Sequence, residues 1–316
     1  MLEENLIKIY ERSFRENREM SALTDYFKGE TFSYYEMAKE IAKLHLLYKK
    51  AGIRQGDKIA LIGRNNPRLV HHLYRNGHLR RGDRPHPAGL HPGDIIHIIN
   101  HSESRLLFLG DNFWDVIEED QIKQIEAVFS LTDFHVIYER DGKALTKFQR
   151  DIVKNYRSKY PRGFSVGDIK YPDIPNDRVV LLNYTSGTTG TPKGTVLSHE
   201  NFTNLCLNAH AWMPEIAAGK NSRLLLFLPL AHVFARFLQV FQISGNGVLG
   251  HASNIKNLLN DLASFKPSYL LVVPRVLEKI YNSADTKASG PKRKIFRWAA
   301  KVAIAYSQAL DTEEGP

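Results

Sequence analysis

The chain has 316 residues, 43% of them apolar and 24% charged, which is enough to bury a sizeable core and excludes a disordered chain. Lysine and arginine outnumber aspartate and glutamate by 43 to 34, and this formal charge of +9 favours nucleotides, CoA, nucleic acid or an anionic membrane surface without choosing among them. Cys206 is the only cysteine, which excludes an internal disulfide, and no run approaches the roughly 20 apolar residues of a membrane span. The acidic start MLEENLIKIYERSF is not that of a secretory leader, so a reduced, cytoplasmic protein, soluble or peripheral to a membrane, is expected.

In chain order, residues 22–32 read as a hairpin around Lys28-Gly29-Glu30. A helix follows, because Ser33 and Glu36 have capping-box spacing, Met37, Ile41, Leu44 and Tyr48 recur at helical period, and Gly52 can close the end. Residues 58–63 (KIALIG) form a strand after the Gly56-Asp57 turn. Residues 68–94 stand apart, with five histidines and three prolines. His71, His72, His78, His86 and His91 lack a regular metal-binding spacing and have no cysteine among them, so an exposed, irregular, metal-free loop is expected there.

Further strands are predicted at 105–109 and 134–138, with helices within 113–129 and around 146–159. Residues 178–184 (RVVLLNY) read as a buried strand, 194–198 as another, and 199–212 as a helix. Residues 223–228 form a buried strand ending at Pro229, 231–243 and 254–265 are helical, and 268–273 (SYLLVV) is a strand stopped by Pro274. Pro274 begins a helix, with proline in its first turn. The last helix, about 292–310, directs Ile295, Trp298, Val302 and Tyr306 inward. Strands alternating with helices give an α/β fold with mostly parallel sheets covered on both faces.

The chemistry is concentrated in Tyr184-Thr185-Ser186-Gly187-Thr188-Thr189-Gly190-Thr191-Pro192-Lys193-Gly194-Thr195. Glycines let a backbone approach phosphate closely, hydroxyls add donors, and Lys193 adds a point charge. The spacing differs from the P-loop pattern, since glycine follows the lysine. A bland alternative is a polar surface loop with one solvated lysine.

This run resembles the phosphate-binding signature of the adenylate-forming superfamily of acyl-CoA synthetases, luciferases and peptide-synthetase adenylation domains, and residues 31–68 independently look like the opening of such an enzyme. The resemblance implies that Thr185, Ser186, Gly187, Thr188, Thr189, Gly190 and Lys193 contact the ATP phosphates, with Mg²⁺ bridging phosphate oxygens and its protein ligands unknown. Residues 227–236 (FLPLAHVFAR) are similar to the family motif lining the acyl pocket, which assigns His232 to positioning the acyl substrate, against the plain reading of a core histidine at a helix start. Arg236, one turn later, faces the same site or solvent.

Together with 273–282 (VPRVLEKIYN), where Pro274 and Arg275 would shape an acyl tunnel or merely start a helix, this motif looks most like long-chain fatty-acid–CoA ligases. ATP, fatty acid and CoA are then the substrates. Lys292, Arg293, Lys294, Arg297 and Lys301, beside Phe296 and Trp298, would meet CoA phosphates, an anionic membrane or only solvent. The resemblance further implies a large N-terminal domain without the small C-terminal domain, inactive alone, with one subdomain over about 55–190 and a second over about 1–54 and 195–316. Rival readings are an adenylating enzyme that loads a carrier protein and a non-catalytic nucleotide-binding pseudoenzyme. A nucleic-acid binder is disfavoured by the scattered charge.

Overall fold

The computed structural model describes residues 4–26, 28–63, 79–82, 92–186, 192–217, 222–230, 233–252, 254 and 257–310, except for the side chains of residues 79–82, 111, 112, 185, 186, 217 and 279. It divides into a unit Met1–Tyr269 and a unit Leu270–Pro316.

In the first unit, α1 (Leu6–Glu16) leads into the antiparallel pair β1 (Ser21–Asp25) and β2 (Glu30–Ser33), then α2 (Tyr34–Lys50). The Ser33–Glu36 capping box is present, and Gly52 takes a φ of +64° just past the helix, as the sequence suggests. Then come β3 (Lys58–Ile62), β4 (Leu79–Gly82), α3 (Pro92–Ser102), β5 (Ser104–Leu109), β6 (Ala127–Ser130), β7 (Val136–Glu139), α4 (Ala144–Arg150) and α5 (Ile152–Lys159). The remainder is β8 (Val179–Ser186), β9 (Pro192–Ser198), α6 (His199–Trp212), the short α7 (Pro214–Ala217), β10 (Arg223–Leu226), α8 (Val233–Ser244), β11 (Val248–His251) and α9 (Leu258–Phe265).

Seven strands pair in the order β7-β6-β5-β3-β4-β8-β9, parallel through the middle and antiparallel at both edges. Ala60, Ile62, Leu107, Leu109 and Val128 pack with Ile95 and Ile99 of α3 on one face. A second sheet has the order β10-β11-β1-β2. Its N-terminal strands are tied to residues more than 200 positions away, because Tyr34 donates its hydroxyl to Gly247 O at 2.8 Å and Ser13 Oγ donates to Ile243 O at 2.8 Å.

Several expectations need correction. Residues 79–82 are not an irregular loop but a strand between β3 and β8, paired in parallel with both. Ladder bonds come from the backbone whatever the side chains, so a charged composition does not prevent a strand where two neighbours would otherwise go unpaired. Residues 92–94 likewise begin α3. The rest of residues 68–94, including the five histidines, lies outside the described residues.

Residues 113–129 hold no α-helix. They form 3₁₀ turns over Asp111–Val116 and Glu119–Ile122, which lay Ile117, Ile122 and Ile125 into the same core as β3, β5 and α3 before β6 begins at Ala127. The helix expected over 146–159 is interrupted at Asp151, which ends α4 and begins α5. Residues 268–273 form no strand, and among the described residues they meet a sheet through one bridge, Leu224 to Tyr269, because a short apolar run does not by itself guarantee a partner.

The second unit holds α10 (Pro274–Lys287), with Pro274 in its first turn, and α11 (Gly290–Ala309). Ile295 and Trp298 are 63% and 65% exposed, and Val302 and Tyr306 are exposed too, contrary to the inward face expected from their spacing. Helical period shows that a face is amphipathic without supplying what covers it.

Cys206 gives a test of packing in the first unit. It is buried on α6, and burial pushes its thiol up to about 12. Native protein at pH 8 should therefore react with iodoacetamide at least ~10-fold more slowly than urea-unfolded protein, because only the thiolate attacks. Equal rates would show that α6 opens readily.

Candidate nucleotide and acyl site

The glycine-rich run spans the connection between β8 and β9. In the antiparallel register Tyr184 opposes Gly194, Thr185 opposes Lys193, and Ser186 opposes Pro192. Residues 184–186 and 192–194 thus form the stem of a loop at the carboxyl end of a strand whose other neighbour is parallel, the end at which open α/β sheets bind ligands. Gly187, Thr188, Thr189 and Gly190 lie outside the described residues, as do the side chains of Thr185 and Ser186. Lys193 is exposed at the stem, where its ammonium is free to meet an approaching anion.

Gly194 serves a different end from the one its place in the run suggests. Its φ is not positive, so the chain does not need glycine there to turn. A Cβ would instead lie 2.7 Å from Tyr184 Cε2 and 2.8 Å from its Cζ. Tyr184 is buried, its ring lies over Gly194, and its hydroxyl is hydrogen-bonded to Nδ1 of His101 near the end of α3. Gly194→Ala should cost about 1–3 kcal/mol through overpacking. Urea denaturation checks this, and a cost below about 0.5 kcal/mol would mean that the ring moves aside freely.

The acyl motif begins where β10 ends. Leu230 is fully buried, Ala231 and His232 lie outside the described residues, and α8 begins at Val233. Arg236 does not reach solvent, as one reading of the sequence had it. It is completely buried, donates from Nη1 to Gln239 Oε1 at 2.7 Å, and among the described residues has no partner at Nε or Nη2. Burial brings its pKa down to about 10.

In the second unit Arg275 is exposed in the first turn of α10. Arg293 and Arg297 both bond to Asp285 and hold its carboxyl far below the usual range, so two of the five basic residues of that cluster are already engaged. Among the described residues no group of three or more His, Cys, Asp or Glu is placed to hold a metal ion. No described helix is long and apolar enough to cross a membrane.

The family model for AMP-binding enzymes matches residues 10–311. This chain belongs to that family. Two relatives of the AMP-binding chain are a long-chain-fatty-acid–CoA ligase, FadD15, of Mycobacterium tuberculosis, 46% identical over 41% of this chain and 22% of its own length, and long chain acyl-CoA synthetase 3 of Arabidopsis thaliana, 29% identical over 85% and 41%. The chain therefore spans less than half the length of either relative. Among solved structures, the N-terminal domain of FACL13 from Mycobacterium tuberculosis aligns with a TM-score of 0.68 at 15% identity, over 92% of this chain and 68% of that one. A red-emitting luciferase from Phrixothrix hirtus aligns at 0.69 and 18% identity, over 86% and 51%. These alignments show the mixed, mostly parallel α/β fold of an AMP-binding N-terminal domain.

Proposed function

We propose that this chain forms the ATP-phosphate and acyl-binding part of a long-chain fatty-acid–CoA ligase. In the parent reaction the fatty-acid carboxylate attacks the α-phosphorus of ATP, the bond to the β-phosphate bridging oxygen breaks, and acyl-adenylate and pyrophosphate form. The CoA thiol then attacks the acyl carbon and AMP leaves. The observation that carries this reading is the Thr185–Lys193 hairpin, placed at the carboxyl end of β8 with Lys193 exposed at its stem, in a chain of the AMP-binding family. The names of the relatives point the same way.

In this reading Thr185, Ser186, Gly187, Thr188, Thr189, Gly190 and Lys193 hold the β- and γ-phosphates, and His232 stands at the carboxylate end of the acyl pocket. Mg²⁺ would neutralise phosphate charge, and no described side chain is assigned to it. The seven-stranded and four-stranded sheets would be the centres of the two subdomains.

Pyrophosphate exchange with palmitate and ATP tests the reading in a longer protein containing this chain. Palmitate-dependent exchange supports it, and its absence in protein that binds ATP rejects it. His232→Ala should lower kcat/KM for the fatty acid about 10- to 100-fold, the scale of losing one pocket contact, while the KM for ATP stays within about twofold. Loss of ATP use with fatty-acid use intact would remove His232 from the acyl pocket.

A further inference from the structure

Tyr184 and His101 have no part in the chemistry assigned so far, yet their contact joins the stem of the phosphate loop to α3, where His101 is exposed. Tyr184 is the last residue of β8 before the stem positions Thr185 and Ser186. Its ring occupies the space that a side chain at position 194 would take, so Gly194 and Tyr184 fit only as a pair across the ladder. The hydroxyl meets Nδ1 of His101, and the two rings stand edge to face with centroids 5.7 Å apart at 76°.

His101 is itself held. It lies near the end of α3, where Ile95, Ile98 and Ile99 are buried. Its neighbour Asn100 donates to Gln121 O at 2.8 Å and accepts from Gln124 Nε2 at 2.7 Å. The His97 ring lies 5.5 Å from that of His101, one helical turn earlier.

The other side of the stem is weakly supported. β9 is an edge strand, and Lys193, Gly194, Thr195 and Val196 are exposed in succession. A two-stranded projection with one open edge keeps its angle only as well as its attachment to the rest of the sheet. Phenylalanine at 184 would fill the space above Gly194 equally well, whereas the hydroxyl fixes direction by pointing the ring at one atom of α3.

We propose that the His101–Tyr184 hydrogen bond is a positioning device for the phosphate loop. It sets the angle of the β8–β9 stem so that Lys193 and the backbone around it meet the polyphosphate together. Tyr184 and His101 are positioning residues and touch no substrate. This inference rests on the phosphate-loop reading of residues 185–193.

The test compares Tyr184→Phe, His101→Ala, His101→Asn, the double variant Tyr184→Phe/His101→Ala, and Lys193→Ala in the full chain. Mg-ATP affinity, the thermal midpoint, and amide exchange at residues 193–196 are measured for each. Tyr184→Phe and His101→Ala should each weaken Mg-ATP binding about fivefold, the loss of one hydrogen bond of ~1 kcal/mol, and the double variant no more than either single one. His101→Asn, whose amide puts a polar atom two bonds from Cβ as Nδ1 is, should keep affinity within about twofold. Exchange at 193–196 should quicken in Tyr184→Phe.

If the thermal midpoint falls while Mg-ATP affinity holds, the bond is merely structural and the inference is overturned. If Lys193→Ala weakens Mg-ATP binding and Tyr184→Phe does not, the phosphate-loop reading survives and the positioning role fails. If the unchanged chain binds Mg-ATP no better than Lys193→Ala, the phosphate-loop reading fails and takes with it the role toward polyphosphate. Amide exchange then decides the clamp alone, and unchanged exchange in Tyr184→Phe overturns that as well.

Discussion

Lys193→Ala, made in a longer protein that carries out adenylation, is expected to lower the rate of pyrophosphate exchange at saturating ATP by on the order of 10²–10³, the cost of removing one preorganised charge contact from a transition state. As the carboxylate attacks, negative charge moves from the α-phosphate toward the departing pyrophosphate. A lysine at the mouth of a phosphate loop gains more from that late charge than from the ground-state triphosphate, so kcat should fall more than ATP binding weakens. Lys193 is exposed, so the loss should not come through unfolding, and the stability change should stay within about 0.5 kcal/mol. Exchange kinetics over a range of ATP concentrations separate the outcomes. A rise in the KM for ATP with kcat unchanged would reduce Lys193 to ground-state binding, and no change in either would remove it from the mechanism.

The β8–β9 hairpin was legible because its signals are local. The apolar run of residues 178–184, the glycines that follow and the return strand fix β8, the loop and β9 within about 20 residues of sequence, and the register found is that of a simple antiparallel pair. The same holds for α2, whose capping box and closing Gly52 are present where the pattern puts them. Failures came where structure depends on distant partners. β4 exists because β3 and β8 need a strand between them, and nothing in Leu79-Arg80-Arg81-Gly82 announces it. α3 was missed although Ile95, Ile98 and Ile99 recur at helical spacing, and with it went the chance of finding His101.

The contact between Tyr184 and Gly194 had a signal that was misassigned. A glycine beside the lysine of a phosphate loop suggests close approach to ligand, whereas here the close approach is to an aromatic ring across the ladder. The burial of Arg236 was beyond reach of sequence, since a long charged side chain on an apolar helix ordinarily extends to water.

Replacing both Arg236 and Gln239 by apolar residues of similar size, Arg236→Met/Gln239→Leu, is expected to raise the free energy of unfolding by roughly 1–4 kcal/mol at pH 7. Among the described residues the fully buried guanidinium has a single bond, to Gln239, and two of its nitrogens, together with Gln239 Nε2, have no partner. Lowering its pKa to about 10 by burial corresponds to a cost on the order of 3 kcal/mol while both folded and unfolded states carry the proton. Above pH 10 the folded state loses that proton first, the unfolded state binds more protons, and stability rises with pH as the penalty is relieved, until the unfolded guanidinium titrates as well. Arg236→Met alone removes the charge but strands Gln239 Oε1, so the gain should be offset by the ~1–3 kcal/mol of an unpaired buried acceptor and end near zero. Arg236→Ala also leaves a cavity and should lose about 2–4 kcal/mol. Urea titrations of the wild-type chain and the three variants at one pH rank them directly. A double variant less stable than wild type by more than about 1 kcal/mol would mean that the guanidinium holds its surroundings together and is no burden to the core.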